Sequence, residues 1–342
     1  MAEILICSHS YKNNLDTITK HLGSKDKLGI VLKDNAYGHG LIEMARLASD
    51  YGIKSVFVKN ELEARLIAHL FEHITILYGS VTPNPPKNFH PVVHAPEHLD
   101  ALTPHTSIEL KVNIGLNRNG LNPQNLDTII QKILEKQIEL FGVFAHNGYG
   151  DDAGEEFDKS QKIFESIKQE VTYLAQKRGF KLPRFHSLNS VGTLRSSTIQ
   201  DDLVRIGIAG YGYLTPDFPL EVATNLKPIA SLWADRICTH ALKKGDRIGY
   251  SGITQLEQDS LVSTYDIGYG DGLFRFSGKE EAFFTADGYR LLPRSSMDCF
   301  SALSTKERIC VFNDARILAR IFGTIPYEIL TSLSPFIKRT II

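Results

Sequence analysis

The chain has 342 residues, 42% of them hydrophobic and 23% charged, with a formal net charge of −1. That length suits a large barrel with a smaller domain, or two ordinary domains, and the composition is that of a globular protein. The near-neutral charge, the absence of long like-charge blocks and the absence of a bilayer-length apolar stretch argue against nucleic-acid and membrane partners.

In chain order, an apolar run at 28–32 reads as a first strand and ends in Lys33. A lysine at the end of a buried strand is poorly solvated, and desolvation lowers an amine's pKa and makes it nucleophilic, as Schiff-base chemistry requires. Helical spacing follows at 41–51, a second strand at 55–58, a helix at 61–70 and a third strand at 74–78. Prolines interrupt at 83–86 before a weak fourth strand at 91–94, and Pro96 opens a helix. A fifth strand spans 108–113. The helix at 125–136 places Leu126, Ile129, Ile130 and Ile133 on one face. A sixth strand covers 140–146, the longest helix 155–178, a seventh strand 185–188, a short helix begins at Val191, and an eighth strand covers 202–208.

Eight strand-then-helix units in order predict an α/β fold, an N-terminal (β/α)8 TIM-type barrel. A doubly wound sheet is the alternative, but no G-x-G-x-x-G follows the first strand. In such a barrel the C-terminal strand ends carry the active site, and Lys33, Arg118, His146, His186, Ser190 and Arg205 fall there. From about Leu226 helix-period segments vanish. Short runs at 230–238, 261–267 and 308–312 alternate with turn signals at 244–246, 286–288 and 313–314, which predicts a smaller β-rich C-terminal domain. The expected division is 1–224 and 225–342, with the first residues free to pair with the second domain. Cys7, Cys238, Cys299 and Cys310 are scattered without a CxxC pair, which argues against a zinc site or disulfide framework. With no basic leader at the start, the expected location is the cytoplasm.

The string Lys33-Asp-Asn-Ala-Tyr37-Gly-His-Gly40 resembles the cofactor-lysine motif of alanine racemases, enzymes that use pyridoxal 5'-phosphate (PLP). The resemblance continues in order. Lys111-Val-Asn-Ile-Gly-Leu-Asn-Arg118 is similar to the segment whose arginine touches the cofactor's phenolic oxygen and whose lysine is often carbamylated. Ala145-His146 is similar to the segment with a histidine beside the pyridine ring. His186-Ser-Leu-Asn-Ser190 and Arg205-Ile-Gly207-Ile208 resemble the phosphate-binding segments. Ile248-Gly-Tyr250-Ser-Gly, Ile267-Gly-Tyr269-Gly-Asp-Gly272 and Ser296-Met297-Asp298 resemble the active-site segments of the family's second domain.

The resemblance implies a two-base racemase acting on alanine. Lys33 would bind PLP and serve one face of Cα, and Tyr250 the other. Tyr37, Ser190, Gly207 and Ile208 would hold the phosphate, and Arg118, Tyr269 and Met297 would meet the substrate. Arg205 would face the pyridine nitrogen; arginine does not readily give up a proton, so the nitrogen stays unprotonated and the electron sink stays weak, which suits racemisation. A phenol with an ordinary pKa near ~10 is a poor base at neutral pH, and an Arg205–His146 pair is the expected source of favourable charge. The family completes its sites across a homodimer and supplies D-alanine for peptidoglycan. Asp34 and Asn113 stand where the family usually has Ala and Asp, and Leu333 aligns with a usual phosphate-binding tyrosine. The alternatives are a broad-specificity racemase of the same fold and a non-catalytic PLP-binding protein of cofactor homeostasis; the latter would lack the second domain and Tyr250.

Overall fold

The computed structural model describes residues 1–342. It divides into two compact units, one of residues 11–34 and 44–227, the other of residues 1–10, 35–43 and 228–342.

The chain opens with strand β1 (Glu3–Ile6) and helix α1 (Ser8–Leu22), which the sequence pattern does not announce. The barrel strands follow: β2 (Leu28–Val31), β3 (Ser55–Val58), β4 (His73–Ile76), β5 (Phe89–Val93), β6 (Ser107–Lys111), β7 (Glu139–Phe144), β8 (Arg184–His186) and β9 (Val204–Ile206). They pair in parallel, each with the next from β2 to β8, while β9 returns to β2 with Val204 opposite Leu28. Loop bonds bridge the remaining gap, Asp202 N–H donating to Phe185 O at 2.9 Å and Arg205 N–H to Leu188 O at 3.0 Å. The result is a nearly closed eight-stranded barrel. Its helices include α2 (Leu41–Tyr51), α3 (Glu61–Ile67), α4 (Leu126–Glu135), α5 (Glu156–Arg178) and α6 (Ser190–Arg195). Pro96 opens a short 3-10 helix, Pro96–Ala101, in place of a full α-helix.

Leu126, Ile129, Ile130 and Ile133 on α4 are all buried, packed with Ile108, Leu110, Val143 and the α5 residues Phe164 and Val171. Burying each such side chain contributes roughly 1.5–3 kcal/mol, so this layer anchors the β6 and β7 strand ends firmly.

In the second unit the long strand β10 (Ala230–Leu242) is the hub. It runs antiparallel to β1 and to the later strands Ser260–Tyr265 and Arg308–Phe312, and β1 pairs in parallel with the last strand, Lys338–Ile341. The expected sheet-rich character holds, but helix-period segments do not vanish. The unit is sheet-rich but carries two helices, α7 (Ala315–Phe322) and α8 (Pro326–Thr331). Asn313-Asp314 reads as a turn signal, yet Asp314 is the N-cap of α7, accepting from Arg316 N–H at 2.9 Å. Both helices are short, and a brief amphipathic pattern after a capping aspartate is easily taken for a loop.

Candidate active site

β2 ends at Val31, Leu32 N–H still donates to Phe57 O at 2.8 Å, and the chain then turns at the half-buried Lys33. Residues Lys33–Tyr37 form a short helical segment, but Asp34, Asn35, Ala36 and Tyr37 have φ of 55, 54, 52 and 54°, so the turn is left-handed. That hand costs ordinary residues roughly 1–2 kcal/mol each. Surrounding bonds over-determine it. Gly40 N–H donates to Asn35 O at 3.0 Å, Leu41 N–H to Asn35 Oδ1 at 2.8 Å, and His39 N–H to Ala36 O at 3.1 Å. The buried His39 ring spans the carbonyls of Ala36 and Tyr37, each 3.0 Å from Nδ1, and burial pushes its pKa down to about 4. The residues that make the motif specific are therefore those that hold an unusual turn directly behind the lysine. Asp34, a departure from the family pattern, accepts from Lys59 Nζ at 2.7 Å.

Arg118 lies on a loop that leaves β6 and returns beside it, with Asn113 N–H bonded to Leu121 O at 3.0 Å and Leu121 N–H to Lys111 O at 2.8 Å. The second departure, Asn113, shapes this loop: its Oδ1 accepts from Gly115 N–H at 3.2 Å and Asn117 N–H at 3.1 Å. Lys111 is buried and donates to Asn119 Oδ1 at 2.5 Å. Burial, then the charges of Arg118, Arg205 and Lys33, bring the Lys111 amine down to about 7.

His146 stands two residues past β7. Burial, followed by Arg205, Arg118, Lys111 and Lys33, lowers its pKa to about 3, so it is neutral. In the expected Arg205–His146 pair the positive charge therefore belongs to the arginine, not to the imidazole. Arg205, on β9, is buried; its Nη2 donates to Ala145 O at 2.6 Å, and its Nη1 lies 2.6 Å from His186 Nδ1. Ser190, first residue of α6, accepts at Oγ from Gly207 N–H at 3.1 Å and Ala209 N–H at 3.3 Å, which leaves its own proton to donate elsewhere. Ile208 follows in the same turn, closed by Gly210 N–H to Gly207 O at 2.9 Å.

Lys33, Lys111, Arg118, His146, His186, Ser190, Arg205, Gly207 and Ile208 all belong to the barrel unit. Cations gathered around a neutral imidazole, with an amine and a hydroxyl among them, suit an anionic carbonyl compound, and PLP fits that donor set. The buried Glu109 and the partly buried Arg184, behind His186, are additions that motif matching misses. A glutamate inside the apolar run of β6 is the signal that could have found them.

In the other unit, Tyr250, Tyr269 and Met297 are 59%, 39% and 54% exposed. Tyr269 N–H donates to Ser296 O at 3.2 Å and Gly270 N–H to Met297 O at 2.8 Å, which ties two of these segments together. The Tyr250 loop is held through Arg294 Nη1 to Ser251 Oγ at 3.2 Å. Leu333 is a buried core side chain, while Tyr327 on α8 packs its ring 5.8 Å from that of Tyr37.

Family models for the N-terminal and C-terminal domains of alanine racemase match residues 6–215 and 229–341. The chain belongs to the alanine racemase family. It is 39% identical over 342 residues to an alanine racemase of Campylobacter concisus, covering 100% of both chains. In structure it is similar to alanine racemase of Clostridium difficile 630, with TM-score 0.89 and 21% identity over 100% of this chain and 95% of that one. It is also similar to alanine racemase from Bartonella henselae with covalently bound pyridoxal phosphate, with TM-score 0.80 and 23% identity over 100% and 99% of the two chains. The chain is accordingly a PLP-dependent isomerase of the racemase class.

Proposed function

We propose that the chain interconverts L-alanine and D-alanine by a two-base mechanism with Lys33 and Tyr250 as the bases. The observation that carries this reading is the barrel-face cluster of Lys33, Lys111, Arg118 and Arg205 around a neutral His146, in a chain whose full-length relatives are alanine racemases. Lys33 would hold PLP covalently, Ser190, Gly207, Ile208 and Tyr37 its phosphate, Arg118 its phenolic oxygen, and Arg205 its ring nitrogen. Tyr327, beside Tyr37, offers a second phenol where Leu333 offers none. The bound cofactor withdraws electrons from Cα and so acidifies its proton. The protein's task is then to take that proton at one atom and return one from the opposite face.

Lys33 Nζ and the Tyr250 hydroxyl oxygen are the two atoms. The fixed charges of Arg118 and Arg205 favour anions at the barrel face, and the left-handed turn fixes where the lysine starts. His146, neutral and beside these cations, would lie against the ring of the bound cofactor without adding charge. Tyr269 and Met297 border the substrate. The exposed Tyr250 and Met297 support a homodimer in which each subunit lends these residues to its partner's site. The domain boundary is placed near residue 225, the location in the cytoplasm, and the cellular role in D-alanine supply for peptidoglycan.

Purified protein incubated with PLP is expected to absorb in the visible. Borohydride should fix the cofactor to Lys33, as read by peptide mass, and the protein should convert either alanine enantiomer to the racemate. A colourless protein, or one that racemises other amino acids and not alanine, overturns the reading.

A further inference from the structure

Behind Arg205 the barrel interior holds a line of polar side chains. His186 presents Nδ1 to Arg205 Nη1 at 2.6 Å and Nε2 to Glu109 Oε2 at 3.1 Å. Glu109 Oε1 accepts from Arg184 Nε at 2.9 Å and Nη2 at 2.5 Å, and Arg184 also donates to Ser55 Oγ at 2.9 Å and Thr75 Oγ1 at 3.3 Å. Glu109 and His186 are both fully buried, and Arg205 is 6% exposed. Gly142 makes room for the carboxylate: a Cβ there would stand 3.0 Å from Glu109 Oε1. The His186 ring stacks on Phe144 with centroids 5.0 Å apart and takes the edge of Phe57 at 5.4 Å, so it is clamped in one orientation.

Hydrogen-bond chemistry decides the rest. A guanidinium only donates, so His186 Nδ1 must offer its lone pair to Arg205. An ionised carboxylate only accepts, so Nε2 must carry the proton. Burial pushes Glu109 up, but Arg184, and then His186, outweigh it and hold the carboxyl below the usual range; burial brings His186 down to about 4 despite Glu109. The pair is therefore a carboxylate and a neutral imidazole at neutral pH.

We propose that Glu109 is a positioning residue for the racemase reaction: by fixing His186 as the Nε2–H tautomer it gives Arg205 a ring-nitrogen acceptor and sets the orientation of the guanidinium. This rests on the reading that Arg205 faces the cofactor's ring nitrogen. Arg184 keeps the carboxylate ionised and serves the same end. With the opposite tautomer, Nδ1–H would meet a guanidinium N–H, donor against donor, and the guanidinium would have to turn away.

The test uses the full-length, PLP-loaded protein labelled with 15N-histidine, and reads the His186 tautomer by NMR alongside visible absorbance and racemisation. Wild type is expected to carry the His186 proton on Nε2. In Glu109→Gln the amide can offer N–H to the ring, so the tautomer is expected to shift toward Nδ1–H. Racemisation should fall about 10- to 100-fold, the range for removing a residue that orients a site group, while PLP absorbance is retained. Should that variant misfold around an unpaired Arg184, the double variant Glu109→Met with Arg184→Met leaves His186 Nε2 without its acceptor, and racemisation should fall to the same extent with PLP absorbance retained. A wild-type Nδ1–H tautomer overturns the proposal, as does a Glu109→Gln variant with an unchanged tautomer, or either variant with activity within about twofold of wild type. A wild type that binds no PLP also removes it, and marks the failure as one of the site reading, since a tautomer mismatch in a coloured protein cannot arise that way.

Discussion

Gly38 sits at the end of the left-handed turn behind Lys33 with φ of 79°, and a Cβ built there would lie 1.9 Å from Leu330 O and 2.7 Å from Leu330 C. Gly38→Ala therefore combines two penalties. The left-handed backbone costs an alanine roughly 1–2 kcal/mol. Relieving the overlap requires backbone at 38 or 330 to move by roughly 1 Å, and overpacking of that kind costs a further ~1–3 kcal/mol. Gly323, in the same unit, separates the two. It has φ of 64° and nothing within 4 Å of a built Cβ, so Gly323→Ala carries the backbone penalty alone. Thermal unfolding of the full chain should show Gly323→Ala losing a few degrees and Gly38→Ala roughly twice that or more, at about 2–4 °C per kcal/mol. Gly38→Ala should also weaken PLP retention, because the displaced turn begins at Lys33. Equal shifts in the two variants would refute the argument that this glycine is required by the close approach of Leu330.

Tyr250→Phe removes one proposed base from an exposed loop position. It should leave stability within about 0.5 kcal/mol while suppressing Cα hydrogen exchange in D2O for one alanine enantiomer far more than for the other; equal loss for both would count against the two-base assignment. Lys111 has a folded pKa of about 7 against an ordinary 10.5. Between those values the unfolded chain binds more protons, so this group makes stability rise with pH from about 7 to 10.5, at up to ~1.4 kcal/mol per pH unit. Lys111→Met should flatten that part of the curve; an unchanged pH slope would show that the amine is not depressed. Asp34→Ala removes an ion pair whose side chains are 35% and 53% exposed, and urea midpoints should register a change within about 1 kcal/mol, with a larger loss indicating a role for Asp34 beyond Lys59.

Periodicity made the barrel legible because each strand of the parallel sheet is a short apolar run and each long helix repeats at its own period, as α4 shows. The elements that escaped were those whose meaning depends on partners distant in sequence. β1 is four residues long and is defined by β10 and the final strand. α7 is announced by an aspartate that also serves turns. The left-handed turn could not be read from propensity at all, since Asp34, Asn35, Ala36 and Tyr37 have no common preference for that hand.

The site divides along the same line. Residues that meet the cofactor in the proposed reading sit in fixed strings and could be named from the sequence, while the residues that set their charge and orientation sit alone on other strands. Glu109 reaches Arg205 through His186, across residues 109, 186 and 205 on three separate strands. A motif comparison scores each string by itself and cannot see that such a chain of donors and acceptors admits a single tautomer. The physical constraint lies in the closure of the barrel, which brings β6, β8 and β9 side chains into one interior where each buried donor must find an acceptor. Substitutions at Glu109 or Arg184 should therefore alter the chemistry at Lys33 without replacing any residue of the recognised motifs.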